Sequence, residues 1–209
     1  MTALVAVIWR PTPDRIPAYG KVWQFYRPLE FIHGLQWKTF DAGGPSFSRA
    51  ASRNAAVRYA QSAGFSRLVI TDADCIPEKN ALLEAVAEAD DTAVHLPYTS
   101  CTTYHPDGRK AGNFSFTCGG CYVTTPAAWW AAGGMDENFT GWAPEDFAFM
   151  LAHETLVGPM IRHNGVLKSL GHELDPSRQQ QETLDAGTQR YRLYEKAHHN
   201  PDMMRALVG

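Results

Sequence analysis

The first half of the chain alternates short apolar runs with stretches of helical periodicity. Leu4 to Trp9 is an unbroken apolar run, the pattern of a strand covered on both faces. Pro17 to Phe31 is rich in aromatics and predicts a helix packed on the sheet. Leu35 to Phe40 alternates as a second strand, closed by the turn Asp41-Ala42-Gly43-Gly44-Pro45. From Phe47 to Ala63 the spacing predicts a helix with serines at its start and Gly64 as its stop. Leu68 to Thr71 is a third strand, Glu78 to Ala89 an amphipathic helix with Leu82, Leu83 and Val86 inward, and Val94 to Pro97 a further strand. Strand and helix in this alternation predict one α/β domain, a mostly parallel, Rossmann-like sheet with right-handed crossovers and helices on its faces.

The second half is less regular. Thr99 to Asn113 has little apolar periodicity and reads as a long surface excursion, of the kind that serves as a lid or binding loop. We expect it to order only when a ligand binds. From Phe114 the pattern is strand, then Cys118-Gly119-Gly120-Cys121, then strand to Thr125, a small antiparallel portion. Pro126 to Ala132 is a short helix. Pro144 suits the first position of another, with Phe147, Met150 and Leu151 as its anchors. Met160 to Leu170 suggests a hairpin around Asn164-Gly165, and Pro176 to His199 a polar helix over the domain edge. The single domain thus divides into residues 1–97, 98–175 and a helical tail, 176–209.

Composition narrows the classes. The 209 residues are 44% hydrophobic and 20% charged, with a net charge of −3, ordinary for a globular protein and without the basic surplus of nucleic-acid or membrane-surface binding. The start, MTALVAVIWRP, lacks a basic n-region and its apolar run is too short for a signal peptide or a span. A cytoplasmic protein is expected. Cys118 and Cys121 form a C-x-x-C without a second pair at zinc-site spacing, so the four cysteines read as buried thiols.

Chemistry concentrates at a few points. Asp72 and Asp74 follow the third strand at once, at the carboxyl-end position where ligands gather in open α/β sheets. Two carboxylates there suit a hard divalent cation and, through it, a phosphate; the alternative is an Asx turn before the next helix. Arg10 leaves the first strand, and Arg49 and Arg53 lie one turn apart at a helix start that favours anions. Asn54 shares a helix face with Ala50 and Val57 and is either a satisfied core amide or a ligand contact. Gly119-Gly120 permits close backbone approach, Trp142 follows a flexible glycine, and Glu145 and Asp146 occupy a helix first turn. His172 ends the last strand region.

Two runs carry a family resemblance. DAGGPSFSRAASRNAAVRYAQSAGFSRLVITDADCIP is similar to the nucleotide-binding stretch of the galactosyltransferase family. CGGCYVTTPAAWWAAGGMDENFTGWAPEDFAFMLA resembles that family's acceptor-side module, with its G-W-x-x-E-D signature. D-x-D, glycine pair, G-W-x-x-E-D and histidine in that order resemble a GT-A-type glycosyltransferase. The resemblance implies a Mn²⁺ (or Mg²⁺) ion held by Asp74 and His172, with His163 as the rival ligand. It implies a UDP-sugar donor contacted by Arg10, Phe47, Arg49, Asn54, Asp72, Gly120 and Trp142. Glu145 would shape the pocket and Asp146 would be the catalytic base of an inverting transfer to an acceptor hydroxyl. The pattern is also similar to the retaining polypeptide N-acetylgalactosaminyltransferases, which leaves the stereochemistry open. A nucleotidyltransferase and a non-catalytic nucleotide-sugar-binding module are the competing readings. The acceptor, whether protein, glycan, small molecule or modified base, is open.

Overall fold

The computed structural model describes residues 3–44, 46–141, 143–171 and 181–208. Strand β1 (Ala3–Ile8) is buried along its whole length, as its unbroken apolar run demands. It pairs in parallel with β2 (Leu35–Phe40) on one side and β3 (Arg67–Asp72) on the other. Helix α1 (Ile16–His33) connects β1 to β2, starting with a proline in its first turn and ending on Gly34 in the left-handed conformation, the common proline-in, glycine-out pattern. Helix α2 (Arg49–Ser62) connects β2 to β3 behind an N-cap at Ser48, whose hydroxyl accepts from the Ala51 amide at 3.2 Å. Since the two connections run in opposite directions across the sheet, right-handed crossovers put α1 and α2 on opposite faces.

The central sheet is completed by β8 (Cys121–Thr124), β5 (His95–Leu96) and β9 (Ile161–Arg162), in the order β2-β1-β3-β8-β5-β9. Only β8 runs against the rest. Helix α3 (Lys79–Glu88) leads into β5, and α4 (Pro126–Ala131) follows β8 and packs on α2. The expected α/β architecture is therefore present, with helices on both faces of a mostly parallel sheet.

A second sheet, β4-β10-β6-β7, corrects two expectations. Strands β6 (Ser100–Tyr104) and β7 (Lys110–Ser115) form an antiparallel hairpin where a loop was expected. Strand β7 is the free edge and is exposed along nearly its whole length, so nothing selects the apolar alternation that marks a half-buried strand. Its turn runs through His105–Gly108, with Gly108 at φ 85°. The second correction concerns Asn164-Gly165. Strand β9 belongs to the central sheet, whereas β10 (Val166–Ser169) pairs with β6 and with the short β4 (Cys75–Pro77). A two-residue Asn-Gly hairpin turn needs positive φ at both residues, and neither has it. Gly165 instead sits where a Cβ would lie 2.7 Å from that of Ala81, letting the chain cross between sheets against α3.

Helix α5 (Glu145–Leu156) carries its buried face on Glu145, Ala148, Phe149, Ala152 and His153. That i, i+3, i+4 spacing puts Phe149 in the core and leaves Phe147 exposed, correcting the expected anchor. Helix α6 (Gln181–Ala197) packs on α5, with Tyr194 donating to Asp136 at 3.0 Å, and α7 (Pro201–Val208) adds a helix that the polarity of the tail had hidden. Among the described residues no helix is long and apolar enough to cross a membrane.

Candidate active site

Three chain segments meet beyond the carboxyl end of β3. The first is the Asp72–Asp74 loop itself. The second is Gly119-Gly120, brought there because β8 runs antiparallel to β3, so that its entry lies beside the exit of β3. The Asp72 amide donates to the Gly120 carbonyl at 2.9 Å. The third is the first turn of α5, with Glu145 and Asp146.

Arg53 joins them. Its guanidinium is buried, donating through Nη2 to both oxygens of Asp72 at 2.8 and 3.1 Å and through Nη1 to Asp146 Oδ1 at 2.5 Å. Nη1 also lies 3.6 Å from Glu145 Oε1. One turn earlier on α2, Arg49 grips both oxygens of Glu145 at 2.5 and 3.1 Å. Glu145 is buried because it falls on the inward face of α5, and its bidentate arginine partner satisfies it there.

Two guanidinium groups, Arg49 and Arg53, act on three carboxylates, Asp72, Glu145 and Asp146, and Asp74 acts in turn on Asp72. Burial pushes the Asp72 carboxyl above its usual range, Arg53 opposes the shift, and Asp74 and Asp146 add to it. Burial likewise raises Glu145 against the pull of Arg49. Ligand atoms of Asp72, Asp74 and Cys75 lie within 4.8 Å of one another. The buried Cys75 thiol donates to Asp74 Oδ1 at 3.4 Å, and the hard donors of the group are its carboxylates. Hard oxygen donors at the end of a central strand fit a divalent cation.

Asp146 is held from two sides. Besides Arg53, the buried Tyr122 phenol donates to Oδ1 at 2.5 Å. Burial and the adjacent carboxylate keep that phenol protonated, as a donor must be. Among the described residues no donor reaches Oδ2. Gly119, at φ 111°, lies directly beneath it: a Cβ there would stand 2.6 Å from Oδ2. The Tyr98 hydroxyl fixes the same glycine by donating to its carbonyl at 2.5 Å. Gly120 is closed in differently, with Cys75 Sγ and Leu167 Cδ2 each 2.9 Å from where its Cβ would be. The pair thus serves to let the aspartate loop and the α5 terminus approach.

The other expected residues separate into groups. Arg10 lies over the Phe47 ring, 5.4 Å from its centroid, and is paired with Asp41 at 2.6 and 2.8 Å; the two residues form one half-exposed cluster at the end of β1. Asn54 is a satisfied core amide: it donates to the Met135 carbonyl at 2.7 Å and Glu137 at 3.0 Å and accepts from the Trp129 indole at 2.9 Å. His163 bonds His95 at 2.9 Å and falls in a different group of ligating side chains from the D-x-D aspartates. Trp142 and His172 lie outside the described residues. The chain leading to His172 is tied to the aspartate loop, with Ser169 in register with Cys75 and the Leu170 amide donating to the Asp74 carbonyl at 2.7 Å.

Arg53 as the central clamp, with Tyr122 and Tyr98, was not assigned from sequence. Arg53 falls three residues after Ala50 and four before Val57, on the buried face of its own helix, and a buried arginine must be paired. That signal was available.

No family model matches the chain, and no curated protein is similar to it in sequence. Similarity appears among solved structures. A Drosophila β-1,4-galactosyltransferase 7 mutant in complex with manganese, UDP-Gal and xylobiose superposes with a TM-score of 0.58 at 16% identity, over 78% of this chain and 65% of that one. The catalytic domain of the same Drosophila enzyme with xylobiose gives a TM-score of 0.55 at 16% identity, over 79% and 68%. GalNAc-T7 with UDP, GalNAc and Mn²⁺ gives 0.52 at 10% identity, over all of this chain and 52% of that one. The chain spans about two thirds of the length of the galactosyltransferase chains and half that of GalNAc-T7. Identities this low speak for architecture, and the architecture of this chain is the GT-A-type glycosyltransferase fold.

Proposed function

We propose that the protein is a metal-dependent glycosyltransferase that moves a sugar from a UDP-sugar to an acceptor hydroxyl. One observation carries the reading above all: a single buried arginine clamps the D-x-D aspartate and the E-D aspartate together, at the edge of the sheet where this fold class binds ligands. Structures that share the fold hold manganese with UDP-Gal, or UDP with GalNAc and Mn²⁺, which supports the choice of donor and metal.

Asp74 would hold the cation together with His172, which follows two residues after Leu170. Asp72, already committed to Arg53, would face the donor ribose or the metal's water shell. A divalent cation bound there supplies positive charge against the diphosphate as the sugar departs. Arg10 and Phe47 form one cluster suited to a base and its phosphate, and Trp142 would line the donor-sugar and acceptor pocket.

Asp146 would act as the general base. Arg53 and Tyr122 hold Oδ1, which orients the carboxylate and leaves Oδ2 for the acceptor proton. The acceptor oxygen bonds the anomeric carbon, the bond from that carbon to the diphosphate oxygen breaks, the proton passes to Oδ2, and UDP leaves. Attack opposite the departing group predicts inversion. Glu145 and Arg49 would keep the α5 terminus in place. The four cysteines, all buried free thiols, suit a reducing, cytoplasmic setting.

The test is UDP release from a panel of UDP-sugars, with Mn²⁺ and with chelator, beside Asp74→Ala and Asp146→Asn. Metal-dependent release from one donor, lost in Asp74→Ala and reduced at least ~100-fold in Asp146→Asn with UDP binding retained, is the expected result. No metal-dependent UDP binding by the unmodified protein would overturn the reading.

A further inference from the structure

Beyond β8, on the opposite side of it from β3, a second group of ligating side chains converges. Glu88 ends α3, His95 lies in β5, and His163 follows β9. Ligand atoms of the three lie within 4.8 Å of one another. The two imidazoles stack, with ring centroids 5.2 Å apart and planes at 17°, and His95 Nδ1 stands 2.9 Å from His163 Nε2. Roughly 3.3 Å separates two ligand nitrogens on a tetrahedral zinc ion at its usual bond lengths, so the pair is close to a chelating bite.

The surroundings favour a ligand over a plain hydrogen bond. His163 Nδ1 faces Glu84 Oε2 at 3.6 Å, the carboxylate–histidine arrangement that turns the far nitrogen of a ligating imidazole toward its metal. Both rings are buried, at 2% and 5% exposure.

We propose that Glu88, His95 and His163 bind a zinc ion at a site separate from the D-x-D loop. Two imidazoles and one carboxylate suit zinc, whereas magnesium and calcium require oxygen donors. Glu84 supports His163 from behind. The site clips the end of α3 to the adjacent strands β5 and β9, at the edge of the sheet where strands are two residues long and hydrogen bonding alone holds them weakly. Its role is structural.

The experiment titrates Zn²⁺, and Co²⁺ as a spectroscopic probe, into the full chain carrying Asp74→Ala, which disables the other carboxylate site. One equivalent of metal should bind, with the visible bands of tetrahedral cobalt. Adding Glu88→Gln should weaken binding by about tenfold or more, and adding His163→Gln should do the same. Glu88 is an exposed helix-end residue, so its replacement does not endanger the fold. Absence of a bound equivalent in Asp74→Ala would overturn the proposal, as would binding that is indifferent to Glu88→Gln.

Discussion

Arg53 shows how much rests on one side chain. It is enclosed by three carboxylates from two distant segments, and removing one partner of a buried ion pair costs about 3–5 kcal/mol, because the others are left facing one another. Arg53→Met should therefore lower the urea midpoint sharply with little change in m. Adding Asp146→Asn to that variant should recover part of the loss, since one of the stranded charges is then gone. A midpoint that falls further in the double variant would refute the clamp. His153 gives a second residue-scale prediction. The Val94 amide donates to its Nε2 at 3.0 Å, and its Nδ1 bonds the Gly158 carbonyl at 2.6 Å, so the ring is neutral with both nitrogens used. Burial lowers its affinity for a proton, with the Gly158 hydrogen bond opposing. The native state thus binds fewer protons than the unfolded chain, whose histidine titrates near ~6.5. The stability this supplies is complete above about pH 6.5 and is lost as pH falls through the lower folded value. His153→Gln should flatten this part of the stability–pH curve relative to the unmodified protein, measured by urea unfolding between about pH 5 and 7.5. The sequence marked Arg53 only as one of two arginines at a helix start that favours anions, and did not mark His153. Their partners come from distant segments that no local pattern connects.

At the scale of elements, legibility followed burial. Strands β1 and β3 were evident because they are covered on both sides, and α2 because its cap and stop are local. The hairpin of β6 and β7 was not, since its outer strand faces solvent and its pairing to β10 is non-local. Its observed pairing changes what is expected of it. Strand β6 is hydrogen-bonded on both sides, to β7 and to β10, so the amides of residues 101–103 should exchange slowly without any donor present. Hydrogen exchange that is fast in the free protein and slow only with UDP-sugar would restore the folding-on-binding lid. The glycine pair belongs to the same scale. Gly119→Ala places a methyl group against Asp146 at a backbone angle that disfavours alanine. We expect UDP release to fall about tenfold or more while UDP still binds, because a displacement of about 1 Å at a catalytic group has that consequence. Unchanged turnover in Gly119→Ala would remove Asp146 from the chemistry.

At the scale of the molecule, the acidic cluster is assembled from three separate segments. The β3 end supplies Asp72 and Asp74, α5 supplies Glu145 and Asp146, and α2 supplies the two arginines between them. The order of these motifs along the chain made the site legible, whereas the arginine clamp could be read only once the three segments were assembled. If the D-x-D loop holds a divalent cation, as proposed, the protein should be measurably looser without it. Binding to the native state alone stabilises by about 2.7 kcal/mol at a hundredfold excess over Kd. For a domain of this size that corresponds to a rise in Tm of about 5–10 °C. Mn²⁺ should therefore raise the Tm of the unmodified protein by that amount, and Asp74→Ala should abolish most of the rise. Since the proton and the cation compete for Asp72 and Asp74, whose neighbourhood raises the Asp72 carboxyl, the gain should shrink as pH falls toward the folded carboxyl values. A Tm gain that survives Asp74→Ala but disappears in Glu88→Gln would assign the stabilising ion to the histidine cluster. A gain of equal size in both variants would mean that neither carboxylate holds it.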